Sequence, residues 1–302
     1  MDIVGICYTS LTFGLLYSIL ALGTMTSFRL VGFPDMTPDG SFLIGAAVSG
    51  VCLIGGCPWW AAIILGSLGG VLCGLLTAFL YRCIRISKLL SGILNMTMLY
   101  SIALRVMGCA NLSLNNNYAA KTLWHIINPS EENQYVSLLV CLLIVSLLIC
   151  LYTLFLKTIS GLRLRALGDS EDTFLKKGLP VSKYTYLGLA ISNALAALSG
   201  SLVSQFQGFV DAGMGTGVVI ISLAGIIIGE TLLKPKRVFP LLLAAVLGMI
   251  IYEGIISCCL QLDLPPTDLK IATAVVTIFF IGWRQMKNLK SNTNRQIGNQ
   301  SI

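Results

Sequence analysis

Histidine is almost absent from this chain: His125 is the single one in 302 residues. That scarcity excludes a His-rich metal site or a histidine proton relay. Ten cysteines are present but form no C-x-x-C pair. Cys52, Cys73, Cys141 and Cys150 lie within apolar runs, where cysteine acts as a small hydrophobe rather than a metal ligand. The phosphate-binding pattern G-x-x-x-x-G-K followed by Ser or Thr does not occur, so the chain carries no P-loop ATPase of its own. No paired catalytic side chains stand out, and the chain is not expected to be an enzyme. Charge is scarce as well: 11% of residues are charged, against roughly 25% in soluble domains. No polar interval exceeds about 30 residues, which leaves no room for a separate soluble domain.

What fills the chain is apolar residues, 56% of the total. They recur in runs of about 20, the mark of a polytopic membrane protein. The expected fold is all-α, with about nine transmembrane helices near 3–23, 42–56, 61–81, 89–108, 135–156, 184–205, 218–233, 239–260 and 269–283. The first run starts almost at Met1 without a basic stretch before it, and reads as a retained helix rather than a signal peptide. An irregular or re-entrant segment is expected near 27–41, too polar for lipid and buried inside protein. Residues 1–285 form a single transmembrane domain in this reading, and 286–302 a disordered cytoplasmic tail. Gly66, Gly70, Gly74, Ser199 and Gly200 have the small side chains that let helices approach closely, within one chain or between two.

The positive charge is distributed unevenly. Three basic residues lie in 82–88, six in 157–183, three in 234–237 and four from Arg284 onward. Nine alternating helices place all four intervals on one side. The opposite loops hold only Lys121 and Lys270, with Arg105 close to them. The positive-inside rule then sets the N-terminus outside and the C-terminus in the cytoplasm. It also accounts for the net charge of +7 through the lipid surface, with no nucleic acid partner implied.

Within the basic intervals, 161–180 is the longest polar stretch on the cytoplasmic side. A short helix is expected there, capped by Asp169, with Glu171 and Asp172 in its first turn and Lys176 and Lys177 in its last. Gly178 supplies a left-handed end and Pro180 follows. About two turns of helix do not hold in water alone. The segment is therefore either braced against the membrane domain or docked into another protein. Phe174 and Leu175 are its only large apolar side chains.

Polar residues at membrane depth are the second signal, because they are costly in lipid. Asp35 and Asp39 flank the broken first hairpin, and Asp211 lies in a glycine-rich connection. Asn95, Ser101, Asn193, Gln205 and Gln207 could line a pathway for a solute, or could equally bond helix to helix. Glu230 has Lys234 four residues on as an expected ion-pair partner, and Arg105 is expected to snorkel outward.

Several stretches carry a resemblance to a known family. Residues 17–26 and 33–47 resemble the start of the membrane permeases of branched-chain-amino-acid-type ABC importers. Residues 165–171, 188–200, 205–217 and 223–230, with 99–108, are similar to the branch of that family linked to tryptophan and tyrosine transport. The resemblance covers about residues 12 to 285. Ser170 departs from it, since many relatives carry Asn there, and so does Pro38.

The resemblance implies a bacterial inner-membrane subunit working with an ABC ATPase dimer, a second copy of the permease and an extracytoplasmic substrate-binding protein. ATP and Mg²⁺ would bind the ATPase, and no cofactor would bind this chain. It further implies that 161–180 is the segment coupling permease to ATPase. The rival reading is an ion-coupled secondary transporter, whose broken hairpin with Asp35 and Asp39 would hold the coupling ion.

Overall fold

The structure is a computed structural model that describes residues 3–114, 122–127, 134–235 and 237–261, with a few positions between 271 and 282. Eight apolar helices stand out: α1 (Ile3–Met25), α2 (Thr37–Ile54), α3 (Trp59–Arg82), α4 (Lys88–Met107), α6 (Gln134–Lys157), α9 (Val181–Gln207), α10 (Val218–Leu233) and α11 (Val238–Gln261). Seven of these regions are long and apolar enough to span a bilayer, and α10 is the shorter exception. The predicted ninth span, 269–283, and the tail fall largely outside the described residues. Short helices α5 (Leu123–Ile127), α7 (Ile159–Asp169) and α8 (Glu171–Lys176) lie between them.

The all-α expectation holds, with one short ribbon added to the helices. Asn111–Ser113 (β1) and Phe209–Asp211 (β2) pair antiparallel, with Asn111 opposite Asp211. The ribbon ties the loop after α4 to the end of α9. Three-residue strands between apolar helices carry no alternating pattern that sequence reading could find.

The break after α1 is also narrower than predicted. Thr26–Leu30 continues as one turn of π-helix, and α2 begins at Thr37 rather than at residue 42. Only 31–36 is irregular. As expected for backbone at this depth, it is enclosed in protein: Val31, Phe33 and Asp35 are buried. The helix of 161–180 is corrected as well. Asp169 does not cap a single helix; it ends α7. Ser170 breaks the chain and caps α8, its Oγ accepting from the Thr173 N–H at 3.2 Å. Both residues are good caps, and the extended backbone at Ser170 decides between them. Gly178 takes the predicted left-handed conformation, φ +68°.

Helix α9 is the spine, packed against α3, α2 and α1, while α11 seals α1 and α10. Close approach depends on missing side chains. A Cβ at Gly66, Gly70 or Gly74 of α3 would land on Ser201 Oγ, the Asn193 carbonyl and the Leu189 carbonyl of α9. A Cβ at Gly200 would strike the Phe42 carbonyl of α2. Ser199 donates to the Leu16 carbonyl of α1 at 2.8 Å. These small residues act within the chain, where van der Waals contact and interhelical hydrogen bonds replace the hydrophobic drive that lipid does not supply.

Candidate functional site

The ends of α1, α3, α4, α6, α9, α10 and α11 that carry the basic turns meet on one face of the bundle, and α7 and α8 lie across it. Gly168 of α7 sits directly on the Arg29 and Leu30 carbonyls of the π turn, where a Cβ would not fit. Helix α8 has too few residues to persist alone, and it is held from behind at two points. Phe174 is 2% exposed and meets the Tyr184 ring of α9 edge-on at 5.5 Å. Arg163 of α7 donates to the same Tyr184 hydroxyl at 2.8 Å. Glu171 accepts from Lys88 at 3.0 Å and from Arg82 at 3.3 Å, reaching the turn between α3 and α4. Partial burial works against the Glu171 charge, but Lys88 and Arg82 outweigh it and hold the carboxyl below its ordinary range.

This bracing separates residues that the sequence grouped together. Phe174 is spent inside the chain and does not present itself to a partner. Leu175 is 56% exposed, and Asp172, Lys176, Lys177 and Gly178 are exposed beside it. Asp169, also exposed, lines a cavity of about 180 Å³ with Arg29, Arg165 and Arg237. Glu230 pairs with Arg29 of the π turn rather than with Lys234. The left-handed C-cap at Lys234 turns the chain away from α10, and Arg29 stands closer.

The polar residues at membrane depth form a connected core. Asp35 accepts from the Thr37 N–H and from Asn193 Nδ2, each at 2.9 Å. Asn193 Oδ1 accepts from Ser41 at 2.6 Å. Thr37 meets Thr77 at 2.7 Å, and Asn95 Nδ2 donates to Thr77 at 2.7 Å and to the Cys73 carbonyl at 2.9 Å. The chain of bonds joins the hairpin break, α2, α3, α4 and α9. Gln205 bridges Ser49 of α2 and the Leu123 N–H of α5. Asp35, Asn95, Asn193 and Gln205 are at most 1% exposed. Of the two uses open to them, interhelical bonding is the one this geometry supports.

Asp39 behaves differently. Its carboxylate accepts from the Gly217 and Val219 N–H groups at 2.9 and 2.8 Å, capping the start of α10 from another helix. It also lines a cavity of about 230 Å³ with Leu43, Met96, Thr97, Tyr100 and Thr216. Asp211 holds the following turn through the Gly213 N–H at 2.7 Å. Gln207, half-buried, ends α9, and Ser101 is exposed on α4. Sequence reading missed Thr37, Thr77 and Ser41, because hydroxyls within apolar helices look like neutral filler until their partners are known.

Bundle, buried polar core and braced cross-helices together define a polytopic helical membrane protein. A family model for the branched-chain amino acid transport system permease component matches residues 6–282, and the chain belongs to that family. It is 38% identical over 287 residues to the tyrosine transport system permease protein of Clostridioides difficile (strain R20291), covering 95% of this chain and 94% of the relative. It is 34% identical over 275 residues to an uncharacterised protein of Rickettsia prowazekii (strain Madrid E), covering 90% and 95%. No solved structure matches.

Proposed function

We propose that the chain is the membrane-spanning subunit of an ATP-driven importer in the bacterial inner membrane, forming half of the pathway for a small amino acid. Two copies would stand with an ABC ATPase dimer on the cytoplasmic side and a substrate-binding protein outside. The observation that carries this reading is α8: a short helix braced from behind by Phe174 and Glu171 and offering Leu175 outward. Leu175 is held 56% exposed on this fixed support, where it can serve as the apolar anchor for a groove on a partner. The polar flank of Asp172, Lys176 and Lys177 suits the rim of an interface. The name of the Clostridioides relative and the resemblance to the aromatic-amino-acid branch favour an aromatic amino acid as solute.

Motion of the ATPases would reach the membrane by two routes. Phe174 transmits it to α9 through Tyr184, and Glu171 to the α3–α4 turn through Arg82 and Lys88. ATP and Mg²⁺ belong to the ATPase. The ion-coupled alternative assigns Asp35 and Asp39 to an ion, yet Asp35 accepts from Thr37 and Asn193 and both oxygens of Asp39 cap α10.

The test separates Leu175 from Phe174. Leu175→Ala should leave the permease as stable as the parent while ATPase co-purification and ATP-driven uptake fall at least tenfold, the size of a lost interface anchor of about 2 kcal/mol. Phe174→Ala should instead lower thermal stability. If Leu175→Ala retains the ATPase and transports at the parent rate, α8 is not the coupling element.

A further inference from the structure

The cavity of about 180 Å³ beneath α7 brings together Arg29, Arg165, Asp169 and Arg237. Arg29 is paired with Glu230. Arg165, Asp169 and Arg237 make no side-chain hydrogen bond or ion pair among the described residues. Two guanidiniums thus stand against one carboxylate, and positive charge is in excess. Leu30, Leu156 and Leu241 supply an apolar floor. The level of the cavity is fixed by its neighbours. Leu156 lies at one end of the span Tyr135–Lys157, and Val238 begins the span Val238–Cys259. Both are points where hydrocarbon gives way to lipid headgroups.

A second concavity, of about 380 Å³, begins one residue away on both helices: Lys157 follows Leu156, and Phe239 follows Val238. It runs between α6 and α11, with Ser146, Cys150 and Thr153 on one wall and Leu243 on the other. The α6 residues are spaced three and four apart and so share one face. Ser146 and Thr153 spend their hydroxyls on carbonyls of their own helix, at 2.9 and 2.6 Å, which leaves the groove apolar. Helix α6 packs chiefly on α1 and only lightly on α11, so the groove stays open. From Lys157 to Ser146 it extends about 16 Å at 1.5 Å per residue. That is close to half of the hydrocarbon core of about 30 Å, the depth that one acyl chain reaches.

We propose that cavity and groove together hold one anionic phospholipid, with its phosphate between Arg165 and Arg237 and an acyl chain laid toward Ser146. Guanidinium suits the phosphate because its donors form a rigid fork matching two oxygens. Charge selects the headgroup: a zwitterionic lipid brings its own cation, which the excess positive charge repels. Lys157, exposed at the mouth of the groove, adds to the attraction. The groove selects a lipid over a free anion, since a soluble phosphate leaves the apolar walls uncovered. Basic pockets between membrane helices bind acidic headgroups on these terms. The bound phosphate bridges α7, which leads through Ser170 into α8, to the turn before α11. The lipid thereby fixes where the cross-helices rest on the bundle.

Native mass spectrometry of the full-length chain in detergent tests this, with dioleoyl phosphatidylglycerol, dioleoyl phosphatidylcholine and inorganic phosphate as probes. Phosphatidylglycerol should be retained in preference to phosphatidylcholine, and excess phosphate should not displace it. Arg165→Gln combined with Arg237→Gln should lower its retention at least about tenfold, the lower end for losing charge-assisted bonds to an anion. Arg85→Gln, in the turn between α3 and α4 and outside the cavity, should leave retention at the parent level. Cys150→Trp fills the groove from an exposed position, keeps every charge, and should also lower retention. Melting midpoints without added lipid report whether each variant is folded, and Cys150→Trp decides the matter if the double arginine variant is not. Equal retention of the two lipids would overturn the proposal. So would parent-level retention in either folded variant, which would put the lipid elsewhere. Displacement of the lipid by inorganic phosphate would make this a site for a free anion and overturn it as well.

Discussion

Replacing Gly70 of α3 by valine tests the packing logic at its tightest point. A Cβ there would fall on the Asn193 carbonyl and on Ala197 Cβ of α9. Neither obstacle can rotate away: one is helix backbone, and the other is a methyl fixed to it. The helices must separate, and separation also loosens the neighbouring contacts of Gly66 and Gly74. Overpacking of this kind costs typically about 1–3 kcal/mol. The Asn193 network is strained in addition, since α3 contributes Thr77 and α9 contributes Asn193. At roughly 2–4 °C per kcal/mol for chains of 150–250 residues, the melting midpoint should fall by several degrees. Gly254→Ala is the matched control, because nothing lies within 4 Å of its added Cβ. Removing a mid-helix glycine there should gain up to about 1 kcal/mol. Cys73 and Cys141 are buried and free, so a thiol-reactive fluorophore reports unfolding once the exposed cysteines are changed to serine. Equal midpoints for Gly70→Val and Gly254→Ala would refute the claim that α3 and α9 are held at backbone contact.

Two further outcomes follow from the buried polar core and the α8 brace. Asn193→Ala should destabilise the detergent-solubilised protein by about 1–3 kcal/mol, because it leaves Asp35 with one bond fewer in a buried site. In an Asp35→Ala background the same change should cost measurably less by thermal unfolding, and strict additivity would show the two residues to be independent. Glu171→Gln should lower the midpoint by the equivalent of no more than about 1 kcal/mol, the range for partly exposed ion pairs. Its pH dependence has a defined sign: the folded pKa is lowered, so the contribution is complete above the unfolded value of about 4.3. It fades only as pH falls through the folded value. Parent and variant midpoints should stay a constant interval apart from pH 8 to 5.5 and converge in more acid solution, and a gap opening between pH 6 and 7 would contradict the Lys88–Arg82 clamp.

The sequence by itself determined the class and the ends. Apolar runs of spanning length require membrane helices whatever their neighbours, because unpaired backbone is not tolerated in lipid. The concentration of Lys and Arg in a few turns marked one face of the bundle before any packing was known. Gly178 and the charges flanking 161–180 marked a short helix, since capping and dipole effects act within a turn or two and are written locally.

The tertiary structure decided everything that depends on a distant partner. Ser170 rather than Asp169 caps α8 because the backbone turns there. Phe174 is buried because Tyr184 of α9 stands behind it, which leaves Leu175 as the exposed large apolar side chain of α8. Glu230 pairs with Arg29, which lies far earlier in the chain, and Asp39 caps a helix that begins at Val218. Asn95 and Asn193 looked equally suited to lining a path or to joining helices, since their chemistry is the same in either use. Only the positions of Thr77, Ser41 and Asp35 select between them, because a hydrogen bond between helices is a property of two surfaces and is written in neither one alone.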